Sequence, residues 1–204
     1  MAIASIVEGH GEVEAIRILL TRICAELIRP AVYPTILKPV RVHKSKVASQ
    51  EGELLRAVDL AILKLSAIES RGLVLLLLDS DDDKACTLAP ALTAQVRNAR
   101  SHVDFACVLA VVEYETWFVA GATSLNLFLS SDSLLHVPAD PEAARAGKGW
   151  IERFFLEPKY SETVDQPRLT AAFDLPKARE NSLSFDKLCR ELEKRIHGEE
   201  APND

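Results

Sequence analysis

Carboxylates carry the chemistry this sequence proposes. Glu8, Asp79 and Glu113 each stand directly after an apolar run: AIASIV, GLVLLLL and FACVLAVV. In an open parallel sheet, ligands bind just beyond the carboxyl ends of the strands. Three such endings therefore put acids on one edge of one sheet. Like charges held close together repel unless a cation lies between them. A divalent metal with oxygen ligands is the economical answer. Asp81 follows Asp79 by two residues, and in an extended chain both side chains face the same way, which suits shared ligation. Glu12 opens a helix four residues after Glu8. It is either a further ligand or an acid that stabilises the first helical turn through the dipole. Glu115 stands at a helix start, two residues past Glu113.

The residues around these acids are less specific. Gly9 and Gly11 allow a tight strand-to-helix turn with positive φ. No Gly-Lys-Ser/Thr follows them, so they are not a phosphate loop. His10 between them reads as a turn residue, a proton shuttle or a phosphate contact. Asp82 and Asp83 complete an acidic run and read as helix caps or supports for Asp79 and Asp81. Basic residues gather at Lys38, Arg41, His43, Lys44 and Lys46, with no acid among them. Arg41, Lys44 and Lys46 are the candidates to hold a phosphodiester backbone electrostatically; the bland alternative is an exposed loop. Lys148, in Gly147-Lys148-Gly149-Trp150, is either a phosphate clamp or a surface lysine. Trp117 and Phe118 read as core packing rather than base stacking.

The elements that must position these residues alternate in type. The three runs lack polar alternation, as strands buried on both faces do. A helix is expected over 12–28, with Ile16, Leu19, Leu20, Ile23 and Leu27 at helical spacing and Pro30 ending it. Residues 32–42 read as an irregular edge strand because of Pro34 and Pro39. A helix over 52–70 is followed by Gly72 as its terminator. A third spans 88–100, with Pro90 in its first turn. A short helix carries Trp117 and Phe118. This β-α-β-α order implies an α/β, Rossmann-like, mostly parallel sheet flanked by helices. Residues 1–137 are expected to form that sheet domain, the one carrying the candidate catalytic acids. Residues 138–204 form a helical C-terminal appendage packed on it, docked by Phe154 and Phe155 and including a helix over 185–196; the tail from 198 reads as disordered.

Composition narrows the function classes. The net charge of −6 argues against a general nucleic-acid coat but leaves room for a local basic patch. No segment approaches the roughly 20 apolar residues of a membrane span. Glu8 comes too early for a signal peptide to precede it. The four cysteines, Cys24, Cys86, Cys107 and Cys189, have no paired spacing. They read as reduced residues of a cytoplasmic protein, which makes a zinc site unlikely by composition.

A strand-end glutamate with a glycine turn, followed later by a strand-end Asp-x-Asp, resembles the Toprim domain shared by topoisomerases, bacterial primases and the OLD (overcoming lysogenization defect) nucleases. By that resemblance Glu8 is a general acid/base or metal ligand, and Asp79 and Asp81 hold magnesium. Glu12 matches a second metal-serving glutamate of the OLD-type nucleases. Over nearly its full length the chain resembles a bacterial Toprim-like family, domain of unknown function 4276. The matching stretches are Val7-Glu8-Gly9-x-x-Glu12, Asp79–Asp83, Glu113-Tyr114-Glu115-x-Trp117-Phe118, Tyr160-Ser161-Glu162-Thr163-x-Asp165-Gln166-Pro167 and Ser184-Phe185-Asp186-Lys187-Leu188. The resemblance implies partnership with an ATPase in defence-type gene pairs.

A topoisomerase needs a nucleophilic tyrosine domain, and a primase needs nucleotide- and template-binding modules, for which 204 residues leave no room. The expectation is therefore a compact phosphodiester hydrolase acting on DNA or RNA. Mg²⁺ or Mn²⁺ is held by Glu8, Asp79 and Asp81, with Glu12 and Glu113 completing a second metal position. Two other readings stay open. One is a non-catalytic regulatory or metal-binding subunit of an ATPase complex. The other is a phosphatase or phosphotransferase for a small phosphorylated ligand, against which the lack of a Gly-rich nucleotide cradle counts.

Overall fold

The structure is a computed structural model that describes residues 1–43, 47, 52–81, 83–143, 147–157 and 159–198. Its strands are β1 (Ala2–Val7), β2 (Thr35–Ile36), β3 (Val40–Arg41), β4 (Gly72–Asp79) and β5 (Phe105–Ala110). All pair in parallel. β2 pairs with the start of β1 (Ala2↔Thr35) and β3 with its end (Val7↔Arg41). The two are one edge strand interrupted at 37–39, where Pro39 has no N–H to give; the irregular edge expected from its prolines is present. β4 lies on the other side of β1, and β5 lies beyond β4. The chain leaves β1 toward one side and returns to pair on the other, so β1 and β4 border a topological switch point, where such sheets bind ligands.

The sheet is buried on both faces. Ile3, Val7, Leu75, Leu77 and Val108 point to one core, and Ala4, Ile6, Leu76, Leu78 and Leu109 to the other. The second core is closed by α2 (Glu53–Ser66) and α3 (Ala85–Ala99). The first is closed by α1 (His10–Arg22) and the helices after β5: α4 (Glu115–Ala120), α5 (Gly147–Phe154), α6 (Glu162–Thr170), α7 (Leu175–Asn181) and α8 (Leu183–His197). α1 runs on as a π-helical stretch, Ile23–Ile28, closed by left-handed Arg29 before Pro30. Phe154, Leu188 and Leu192 of the C-terminal helices are buried in the same core as β1. Phe155 makes an isolated antiparallel bridge with Leu129. The cysteines are free thiols; Cys24, Cys107 and Cys189 are buried, and Cys86 is exposed on α3.

Several local expectations are corrected. α2 ends at Ser66, and Gly72 is the first residue of β4 rather than a helix terminator. Pro90 lies inside α3, which begins earlier than expected, at Ala85. α3 therefore does without one N–H in its interior. β5 ends at Ala110, so Glu113 stands on the loop beyond the strand.

Gly9 has φ −76°, and among the described glycines only Gly52 and Gly198 have positive φ. Gly11 is needed for a different reason. A Cβ there would fall on the Glu162 carbonyl oxygen and the Gln166 amide oxygen of α6. The missing side chain lets α1 and α6 touch backbone to backbone. Arg22 fastens the same pair, donating to the Thr170 and Phe173 carbonyls at 2.8 and 2.9 Å. Gly11→Ala is expected to push α6 away and destabilise the fold by about 1–3 kcal/mol, as overpacking does. Chemical denaturation measures it.

Candidate functional site

The loops after β4 and β5 are zipped together. Ser80 N–H donates to the Ala110 carbonyl at 2.8 Å, and Asp81 N–H to the Val112 carbonyl at 2.9 Å. Val112 N–H returns a bond to Ser80 Oγ at 2.8 Å. Tyr114 N–H donates to Asp79 Oδ1 at 2.8 Å. The geometry bends both chains into the left-handed region, with φ 50° at Asp81 and 65° at Val112. Such a φ is an outlier for a β-branched residue, and strain of this kind collects at functional sites. Asp79 and Asp81 thus reach one site through a left-handed turn, not through the strand alternation that the sequence suggests. Val112→Asn, which tolerates this φ, is expected to stabilise the protein by about 1 kcal/mol. A shift in the denaturant midpoint at constant slope is the readout.

Glu12 is buried, and its Oε2 accepts from the amides of Glu8 and Gly9 at 2.9 and 3.1 Å. It caps the turn that carries Glu8, so the helix-stabilising reading holds for one of its oxygens. Burial, partly offset by those two amides, pushes its carboxyl up to about 7.

On the other side, α5 meets the acids end-on. Lys148 N–H donates to Glu113 Oε1 at 2.6 Å, and a Cβ on Gly147 would lie 2.7 Å from the Thr116 nitrogen. Glu115 is also buried. Its Oε1 accepts the Tyr160 hydroxyl at 2.7 Å and lies 3.5 Å from Gln166 Nε2. Burial, opposed by the Tyr160 bond, pushes its carboxyl up to about 7.

These groups line a cavity of about 290 Å³ at the carboxyl ends of β1 and β4. Seven of its nine lining residues are acids: Glu8, Glu12, Asp79, Asp81, Glu113, Glu115 and Glu162; Gly9 and Gln166 complete it. By surface area Asp79 is half-buried, because its carboxyl opens on this cavity. Protein crowds it on the remaining sides. Burial first, then repulsion from Glu12, Glu115 and Asp81, raises its carboxyl well above the usual range. Gln166 is buried, and its Oε1 has no hydrogen-bond partner among the described residues.

The donor set is hard oxygen throughout, with mutual repulsion that a cation would relieve. Among the described residues no three His, Cys, Asp or Glu side chains form a ready-made metal cage. Magnesium takes only one or two carboxylates and keeps several waters. The residues therefore fit a hydrated hard cation better than a zinc-type centre.

All five acids singled out in the sequence, Glu8, Glu12, Asp79, Asp81 and Glu113, meet at this cavity. Lys148 is at its rim, with Nζ 2.5 Å from Glu162 Oε1. Arg41 is exposed beside Val7 on the edge strand and is not part of the lining. His10 is exposed at the start of α1, also outside the lining. Lys44, Lys46 and Asp82 lie outside the described residues. Trp117 and Phe118 are fully buried core residues. Sequence reasoning gave no role to Glu115, Tyr160, Glu162 or Gln166. The family-like stretches containing them were the available signal.

Among the described residues no helix is long and apolar enough to cross a membrane. No curated protein and no solved structure matches the chain. One family model does, over residues 7–193, which include every acid of the cavity. The chain belongs to the family described as Domain of unknown function (DUF4276).

Proposed function

We propose that this protein is a divalent-metal-dependent nuclease, hydrolysing phosphodiester bonds of DNA or RNA in the manner of the Toprim and OLD-type enzymes that its motifs resemble. The observation that carries the reading is the convergence of Glu8, Asp79 and Asp81, with Glu12 and Glu113, on one cavity at the β1–β4 switch point. Asp79 and Asp81 are the residues to hold Mg²⁺ or Mn²⁺, with Glu8 reaching the ion or its waters, and Glu12 and Glu113 beside them for a second ion. Such an ion, when bound, polarises a phosphate and stabilises the leaving oxygen.

The chain's own groups supply the rest. Lys148 at the rim can exchange Glu162 for a phosphate oxygen. Glu115, with its carboxyl at about 7 in the metal-free protein, can hold or release a proton near neutrality. Glu8 is the alternative proton carrier. Arg41, exposed on the edge strand, is proposed to contact the polynucleotide backbone, with Lys44 and Lys46 as the further candidates that the sequence offers. An ATPase partner in a defence or DNA-processing system, and a cytoplasmic location, belong to the same proposal.

Incubation of the purified chain with plasmid, linear DNA and RNA, under Mg²⁺, Mn²⁺ or EDTA, tests it. Cleavage that requires the metal is expected. A regulatory, non-catalytic subunit is the second reading, favoured by the capping role of Glu12. Metal binding without cleavage, alone or with an ATPase partner, would select it.

A further inference from the structure

Among the described residues β5 is an outer strand, paired with β4 alone. In a parallel ladder, alternate residues bond to each neighbour. The carbonyls of Asp104 and Ala110 accept from Val74 and Ser80. Residues 104, 106, 108 and 110 therefore face β4, and residues 105, 107 and 109 turn their peptide groups outward. Side chains of α8 occupy both ends of this outer edge. Arg195 donates to the Phe105 carbonyl at 3.1 Å, and Val111 N–H donates to Ser184 Oγ at 3.4 Å. Between them the N–H and C=O of Cys107 meet no partner among the described residues.

Cys107 lies on the floor of a groove of about 400 Å³ between α3 and α8, which shares Arg97 and Arg195 with an adjoining cavity of about 310 Å³. Ala89, Pro90 and Ala94 of α3 make the floor apolar. The rim is cationic: Arg97, Lys187 and Arg195, then Arg71 and Lys194. The two acids present, Glu191 and Asp104, are both bonded to Arg195. Even without Lys194, the four cations Arg71, Arg97, Lys187 and Arg195 against two acids among these lining residues are a local reversal on a chain of net charge −6.

We propose that this edge is a docking site for an extended acidic segment of a partner protein, which adds to β5 as a further strand. Such a strand pairs both peptide groups of Cys107, which are costly to leave unmatched, and sets carboxylates against the rim at alternate positions. A second copy of this chain would bring the same cationic rim against this one. A single-stranded nucleic acid matches the charge but leaves the outward peptide groups unpaired. Arg71 and Asp104 directly precede β4 and β5, so the groove runs toward the sheet edge opposite the acidic cavity.

The probe is a fluorescein-labelled peptide of about eight residues alternating valine and glutamate, roughly the length of a strand, titrated into the full chain and followed by anisotropy. The acidic peptide is expected to bind and its valine-lysine counterpart not to. Joint Arg97→Glu and Lys187→Glu substitution is expected to weaken binding by about tenfold or more. N-methylation of one alternate set of peptide nitrogens is expected to abolish binding while the other set is tolerated. A failure of the acidic peptide to bind, or indifference to both N-methylation sets, overturns the proposal. So does tighter binding of a labelled oligothymidylate that the same double substitution removes, which would assign the groove to nucleic acid. Hydrogen exchange at the amides of β4, which pair inside the sheet, reports fold integrity in every variant.

Discussion

Asp79→Asn is expected to abolish metal-dependent cleavage and, in the metal-free protein, to raise the melting temperature. The two effects share one cause. The Asp79 carboxyl is desolvated and faces Glu12, Glu115 and Asp81, so its ionised form is disfavoured in the folded chain. An amide of the same shape removes that repulsion and still accepts the Tyr114 N–H through its oxygen. A metal, by contrast, needs the negative charge. Supporting residues around metal ligands commonly contribute 10–100-fold to activity, so loss of a ligand itself is expected to exceed about 100-fold. Melting by circular dichroism with EDTA, beside a cleavage assay with Mn²⁺, measures both. A variant that is less stable without metal and cleaves normally would contradict the assignment.

The second large effect is a pH dependence. Burial raises the carboxyls of Glu12 and Glu115 from 4.5 to about 7. Between those values the folded chain retains protons that the unfolded chain has lost. Stability of the metal-free protein is therefore full below pH 4.5 with respect to these groups and falls as pH rises through about 7. For one such buried group the loss is on the order of 3 kcal/mol. A bound divalent cation opposes this loss, because ligation favours the deprotonated form and adds binding free energy to the folded state. The rise in melting temperature on adding Mn²⁺ should accordingly grow from acid toward neutral pH. Metal-free stability that climbs over this range would show that burial does not raise these two carboxyls as described.

The readable parts of the sequence were those set by a single chain-local rule. Continuous apolar runs marked β1, β4 and β5, because both sheet faces are covered, and the prolines of 32–42 marked a broken edge. Strand-end carboxylates marked the site, because a parallel sheet delivers all its carboxyl ends to one edge. What stayed hidden depended on contacts across the chain. Gly11 looked like a turn glycine, yet its absent Cβ serves the approach of α6, more than a hundred residues later. Glu115, Tyr160 and Gln166 carry no local signal of chemistry. They meet only because α4 and α6 pack around the cavity. The left-handed turns at Asp81 and Val112 come from hydrogen bonds between two loops, which neither loop's sequence announces.

The central claim is that the acidic cavity is a divalent-cation site, and a calorimetric titration of Mn²⁺ into the metal-free chain at neutral pH, beside Asp79→Asn and Glu8→Gln, tests it most directly. Saturable binding by the wild type, lost in Asp79→Asn and weakened in Glu8→Gln, is the result predicted. No binding, or binding that both variants retain unchanged, would contradict it and leave the converging carboxylates without the cation that explains them.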